Sequence, residues 1–68
     1  MTIQTLRTKT ARTIAAGSLA LSQGRHREAS ECADGALVGL IALSAQGAAA
    51  LDLVERVDRL ENRINGQG

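Results

Sequence analysis

The side chains best able to do chemistry stand close together: His26, Glu28, Glu31 and Cys32, a His–carboxylate–Cys run within a chain that has one His and one Cys. On a helix they could be drawn as a metal cluster. A closed tetrahedral zinc site, however, would need two of the carboxylates or a second chain to complete it. The plainer reading is a solvent-facing His at a helix start and a small buried Cys. A single His among several Ser and Asp residues carries no triad geometry. Gly35-x-x-x-Gly39 is no phosphate loop, because it lacks the Lys-Ser/Thr pair and the preceding strand. Without Phe, Tyr or Trp there are no aromatic walls for a ligand pocket. No catalytic, cofactor-binding or metal-ligating residue is therefore assigned, and the chain reads as a non-enzyme.

Charge offers a second chemistry. The formal net charge is only +1, yet residues 1–27 hold Arg7, Lys9, Arg12, Arg25 and Arg27 with no acid. Residues 28–68 hold all seven acids against Arg56, Arg59 and Arg63. A basic arm of this kind can contact nucleic acid or anionic lipid. Arg7, Lys9 and Arg12, interleaved with Thr2, Thr5, Thr8, Thr10 and Thr13, are its candidate anion contacts, since Thr hydroxyls also reach phosphates. No aromatic residues interleave with them and no recognition helix is legible, so this remains the alternative. The plainer reading is that opposite ends of neighbouring molecules, or of one folded hairpin, complement each other.

Elements must position these groups. A chain of 68 residues makes one small domain, and at this size only roughly 60% of the unfolded surface is buried on folding. There is no Pro, and the lone Cys32 closes no internal disulfide. Helix packing and oligomerisation are the staples left. Twelve alanines and nine leucines favour helix over strand. Seven of the eight basic residues are Arg, a bias that with the alanine content suits a GC-rich genome such as an actinobacterium or its phage.

The fold class expected is all-α: a helical hairpin plus a C-terminal coiled-coil-like helix, completed by oligomerisation. Residues 1–12 form a Thr/Arg-rich basic arm or a helix start, because β-branched Thr is a mediocre helix former. Residues 13–46 form the hairpin, punctuated at Gln23-Gly24, with a second helix from His26 to about Gln46. Glu28 and Glu31 favour its first turns through the helix dipole. Gly47 marks a break or kink before residues 48–65, leaving open whether the second and third helices form one rod.

The third segment carries the clearest periodicity. Ala50, Leu53, Val57, Leu60 and Ile64 fall at 3-4-3-4 spacing, the a and d positions of a heptad. Asp52–Arg56 and Glu55–Arg59 are acid-to-base pairs at i, i+4. This seam is either an intermolecular zipper or the outer helix of an intramolecular bundle. The stretch Ala36–Leu43 is different, with eight residues and no polar side chain. A helix apolar on every face is expected to be enclosed on every face. Leu37, Leu40, Ile41 and Leu43 are thus interface candidates with Leu53, Val57, Leu60 and Ile64. Gly35 and Gly39 are candidates because they admit a second helix.

The uncharged run 35–51 sits at the lower limit for a membrane span. It includes Gln46, Ser44, three glycines and six alanines, and no Trp or Tyr anchors its ends. A single-span membrane protein is therefore a further alternative. Arg7, Lys9 and Arg12 before Ile14–Leu21 have the order of a signal peptide, but the apolar part is short and contains Gly17 and Ser18. The cytoplasm is the default location, or the virion and host cytoplasm for a phage protein.

Gly17, Gly24, Ala29, Ala36 and Leu37 share the spacing of small and apolar positions in the tetratricopeptide helix pair. Gln23-Gly-Arg-His-Arg-Glu-Ala29 resembles the turn and second-helix start of that motif. The resemblance covers about residues 13–37. It departs where the family has aromatics, with Ala20, His26 and Ala33 in those places, and no second copy follows. It implies a helical hairpin, without implying membership or peptide binding. Function is accordingly expected to be that of an interaction module, whose partner is a second copy of itself or a larger protein.

Overall fold

The computed structural model describes residues 2–66, and over these the chain is all-α, with three helices. Helix α1 spans Ile3–Ser22, α2 spans His26–Ala45 and α3 spans Leu51–Ile64. The Thr-rich start is helix rather than extended arm. Thr2 is its N-cap, its hydroxyl accepting from the Thr5 backbone N–H at 3.1 Å, which satisfies an otherwise orphaned donor. Thr13 returns its hydroxyl to the Lys9 carbonyl at 3.0 Å, and Thr10 is buried. Low intrinsic propensity is thus overcome by a cap and by packing.

Both turns are made by glycine. Gly24 has φ +78° and Gly47 φ +75°, the left-handed conformation that costs other residues a Cβ clash. At each, two backbone bonds close a Schellman motif: Arg25 N–H to Ala20 and Gly24 N–H to Leu21, then Ala48 N–H to Leu43 and Gly47 N–H to Ser44. Gly47 therefore ends α2, and the second and third helices are separate. The third begins at Leu51, with Ala50 as its cap residue. That break divides residues 35–51 between two helices, and no described helix is long and apolar enough to cross a membrane.

The α1–α2 hairpin that the tetratricopeptide resemblance implied is present, and α3 lies across it. Small residues decide how closely the hairpin closes. Gly17 meets Leu60 and Cys32, where an added Cβ would stand 2.8 Å from Leu60 Cδ2 and 3.0 Å from Cys32 Cβ. At the other end of the crossing a Cβ on Gly39 would overlap the Thr10 hydroxyl. Ala29, Ala33 and Ala36 line the buried side of α2. One core cluster then joins Ile14, Ala36, Leu43, Ala50, Leu53 and Val57, with Leu6, Ala11, Leu40 and Ala48 packed at its edge. The heptad seam of α3 is consumed here: Leu53, Val57 and Leu60 are each 2% exposed. Of the two readings of that seam, the chain adopts the intramolecular one.

The i, i+4 pairs expected along α3 are not the ion pairs that form. Asp52 reaches Arg7 on α1 instead, at 2.9 Å. The other described ion pair joins Arg25 to Glu28 at 3.0 Å, across the start of α2. Some desolvation works to raise the Asp52 carboxyl. The hydrogen bond and charge of Arg7, aided by the backbone of Leu53 and Asp52, outweigh it and hold the group below its ordinary value.

Candidate interaction surfaces

The Cα extents of the fold are 34 × 19 × 14 Å. That is about one helix length by two helix widths, since a 20-residue helix is about 30 Å long and about 10 Å across. A bundle this thin cannot enclose its middle helix. The expectation that Ala36–Leu43 is buried on every face is therefore not met by the chain itself. Ala36 and Leu43 are fully buried, while Leu37 is 39%, Val38 66% and Ile41 69% exposed.

Each interface candidate now has a place. Leu43, Leu53, Val57 and Leu60 lie inside the chain's own core, where no partner can reach them without unfolding. Leu40 is half-buried at the edge of that core. Ile64 is half-buried beside Ser30, Ala33 and Asp34 of α2. Gly35 and Gly39 do admit a helix, but the helix is α1: Gly39 faces Thr10, and a Cβ on Gly35 would sit 3.5 Å from Thr13 Cγ2. Of the ten candidates, Leu37 and Ile41 are the large side chains left on the surface.

Sequence reasoning passed over the line to which Ile41 belongs, with Leu37 at its side. Arg27, Glu31, Asp34, Val38, Ile41 and Ala45 are all exposed and recur at 4-3-4-3-4 spacing, one continuous face of α2. The first half is charged and the second apolar. Leu51 and Val54, in the first turn of α3, are 74% and 46% exposed. The signal was present as a second heptad phase, masked by the more hydrophobic residues around it.

The anion candidates are also redistributed. Arg7 is held by Asp52. Lys9 and Arg12 are exposed on α1, in a shallow depression with Gln4, Thr5 and Thr8. A groove of about 200 Å³ between α1 and α2 is walled by Leu6, Thr10, Thr13, Val38 and Ala42 over Gly35 and Gly39. Lys9 is its one titratable group, so it offers neither an acid–base pair nor a nucleophile. His26 is exposed at the first residue of α2, and Cys32 is half-buried against α1. Among the described residues no three His, Cys, Asp or Glu side chains come together as metal ligands.

Compared with protein-family models, curated proteins and solved structures, this chain matches none.

Proposed function

We propose that this protein is a non-enzymatic interaction module that works by pairing the exposed face of α2 with another helix, first of all that of a second copy. The observation that carries this reading is Leu37, Val38 and Ile41 left on the surface of a helix whose opposite face is fully packed. Burying a Val, Leu or Ile side chain is worth roughly 1.5–3 kcal/mol relative to exposure. Contiguous apolar patches on folded monomers commonly mark an interaction site. The charged half of the same face, Arg27, Glu31 and Asp34, supplies the polar rim that such contacts carry. A groove on a larger protein that receives this helix uses the same residues.

Size-exclusion chromatography with light scattering, over a rising concentration series, tests the reading. The wild type is expected to associate, and Val38→Lys with Ile41→Lys to remain monomeric with unchanged helicity. A wild type that stays monomeric at high concentration rejects self-association. Equal oligomers in wild type and variant would move the contact off α2.

A further inference from the structure

The exposed flank of α3 that faces α1 holds three arginines in one groove. Arg56, Arg59 and Arg63 line it with Ser18 over a floor of Ile14 and Leu60, enclosing about 200 Å³. No acid is among the lining residues. The three are spaced i, i+3 and i+7, so they rise about 4.5 Å and then about 6 Å along one side of the helix. Like charges three and four residues apart destabilise a helix. The nearest remedy is declined: Asp52, one turn before Arg56, turns away to Arg7 on α1. Among the described residues none of the three makes an ion pair. All three are exposed, and Ser18 is half-buried.

We infer that this groove binds a short row of adjacent phosphate groups, as found in a free linear polyphosphate or along a nucleic-acid strand. Guanidinium forks match phosphate oxygens two bonds at a time. Three of them in file suit a linear polyanion better than a single point charge. Ser18, also lining the groove, adds a neutral hydroxyl donor. The groove shares no residue with the α2 face, so this inference stands or falls apart from the self-association reading. It also relocates anion recognition from Arg7, Lys9 and Arg12 to α3.

The test uses the full chain, isotopically labelled, titrated at low salt with three probes: inorganic triphosphate, a short single-stranded oligonucleotide and a Glu-rich peptide. The expected result is saturable shifts of the Arg56, Arg59 and Arg63 Nε–H signals and of the Ser18 amide with triphosphate. Shifts with the oligonucleotide as well identify nucleic acid as the source; triphosphate alone identifies a free polyphosphate. Three phosphate contacts on a single strand predict a slope of about −2 in log affinity against log salt, so about a 20-fold loss between 50 and 200 mM. Arg59→Gln with Arg63→Gln should weaken binding at least about tenfold and flatten that slope by about 1.4, as two lost contacts require. Circular dichroism should show the same helicity, because both side chains are exposed. No saturable shift with either phosphate probe would overturn the inference. So would shifts confined to Lys9 and Arg12, or peptide binding as tight as triphosphate.

Discussion

The two faces of α2 invert the usual relation between size and burial. Along most of its length the inner face carries Ala29, Ala33 and Ala36, buried to 3% exposure or less, with the half-buried Gly39, and only near its end a large residue, the fully buried Leu43. The outer face carries Leu37, Val38 and Ile41, which remain in water. Small residues are inside between residues 29 and 39 because α1 approaches closely there, at Gly17 and at Thr10. Leu43 fits where the core widens toward Ala50 and Leu53. Large residues are outside because a bundle only two helices deep has no layer to cover them. Hydrophobicity alone therefore does not assign a face; the distance to the neighbouring helix does.

The largest test of that contrast lies where α3 closes over the hairpin. Leu60→Asp buries an unpaired charge against Gly17 and is expected to cost about 4 kcal/mol or more. A chain of this size has only about 0.05–0.15 kcal/mol of stability per residue, so the helical signal should collapse at room temperature. A cooperative melt near the wild-type temperature would remove Leu60 from the core.

Next come the two glycines of α2, which look alike in sequence and differ in packing. Gly39→Leu forces side-chain atoms into Thr10 and is expected to cost about 3 kcal/mol, the upper part of the range for overpacked cores. Gly35→Ala places its Cβ at ordinary contact with Thr13 and replaces a poor helix former. It should stabilise the chain by up to about 1 kcal/mol. Thermal or denaturant melts of both variants, with opposite shifts, would confirm the asymmetry; equal shifts would break it.

The outer face should behave as surface in the isolated chain. Ile41→Lys is expected to change monomer stability by no more than about 0.5 kcal/mol, measured at concentrations too low for association. A large loss there would mean that Ile41 already has a partner within the chain.

The smallest effect belongs to Arg7–Asp52, whose side chains are 33% and 62% exposed. Arg7→Gln should destabilise slightly, and less at high salt, because exposed pairs are screened. The Asp52 carboxyl is lower in the folded chain than in the unfolded one. Its contribution is therefore full above the unfolded value and is lost as pH falls through the folded one. Melts of wild type and Arg7→Gln should converge at strongly acidic pH. A gap that persists there would assign Arg7 a packing role.

Much of the fold is legible in the sequence. Gln23-Gly24 announced the first turn, because glycine takes a positive φ without a clash; Gly47 marked a break or kink but did not by itself separate the second helix from the third. The heptad of α3 announced its buried stripe, because polar and apolar residues separate cleanly around that helix. The exposed line Arg27–Ala45 was not legible, because α2 is apolar on nearly all sides between Ala36 and Leu43 and its periodicity is drowned. Nor was the arginine groove, because Arg56 and Arg59 each have an acid four residues earlier and so look neutralised in one dimension.

The sequence by itself determined the all-α class, the turn at Gln23-Gly24 and the inward stripe of α3, since these depend on local propensity, glycine conformation and periodicity within one segment. The start of α1 and the separation of α2 from α3 were left open by it. Tertiary structure alone decided who covers what. It spent Leu43, Leu53, Val57 and Leu60 on the chain's own core, turned Gly39 toward Thr10 and left Leu37, Val38 and Ile41 in water. It also drew Asp52 across to Arg7, leaving Arg56, Arg59 and Arg63 in one groove. The physical reason is that contacts between helices depend on crossing distance and rotation. Those are set by Gly17 and Gly39 meeting residues far away along the chain, a relation no local pattern records.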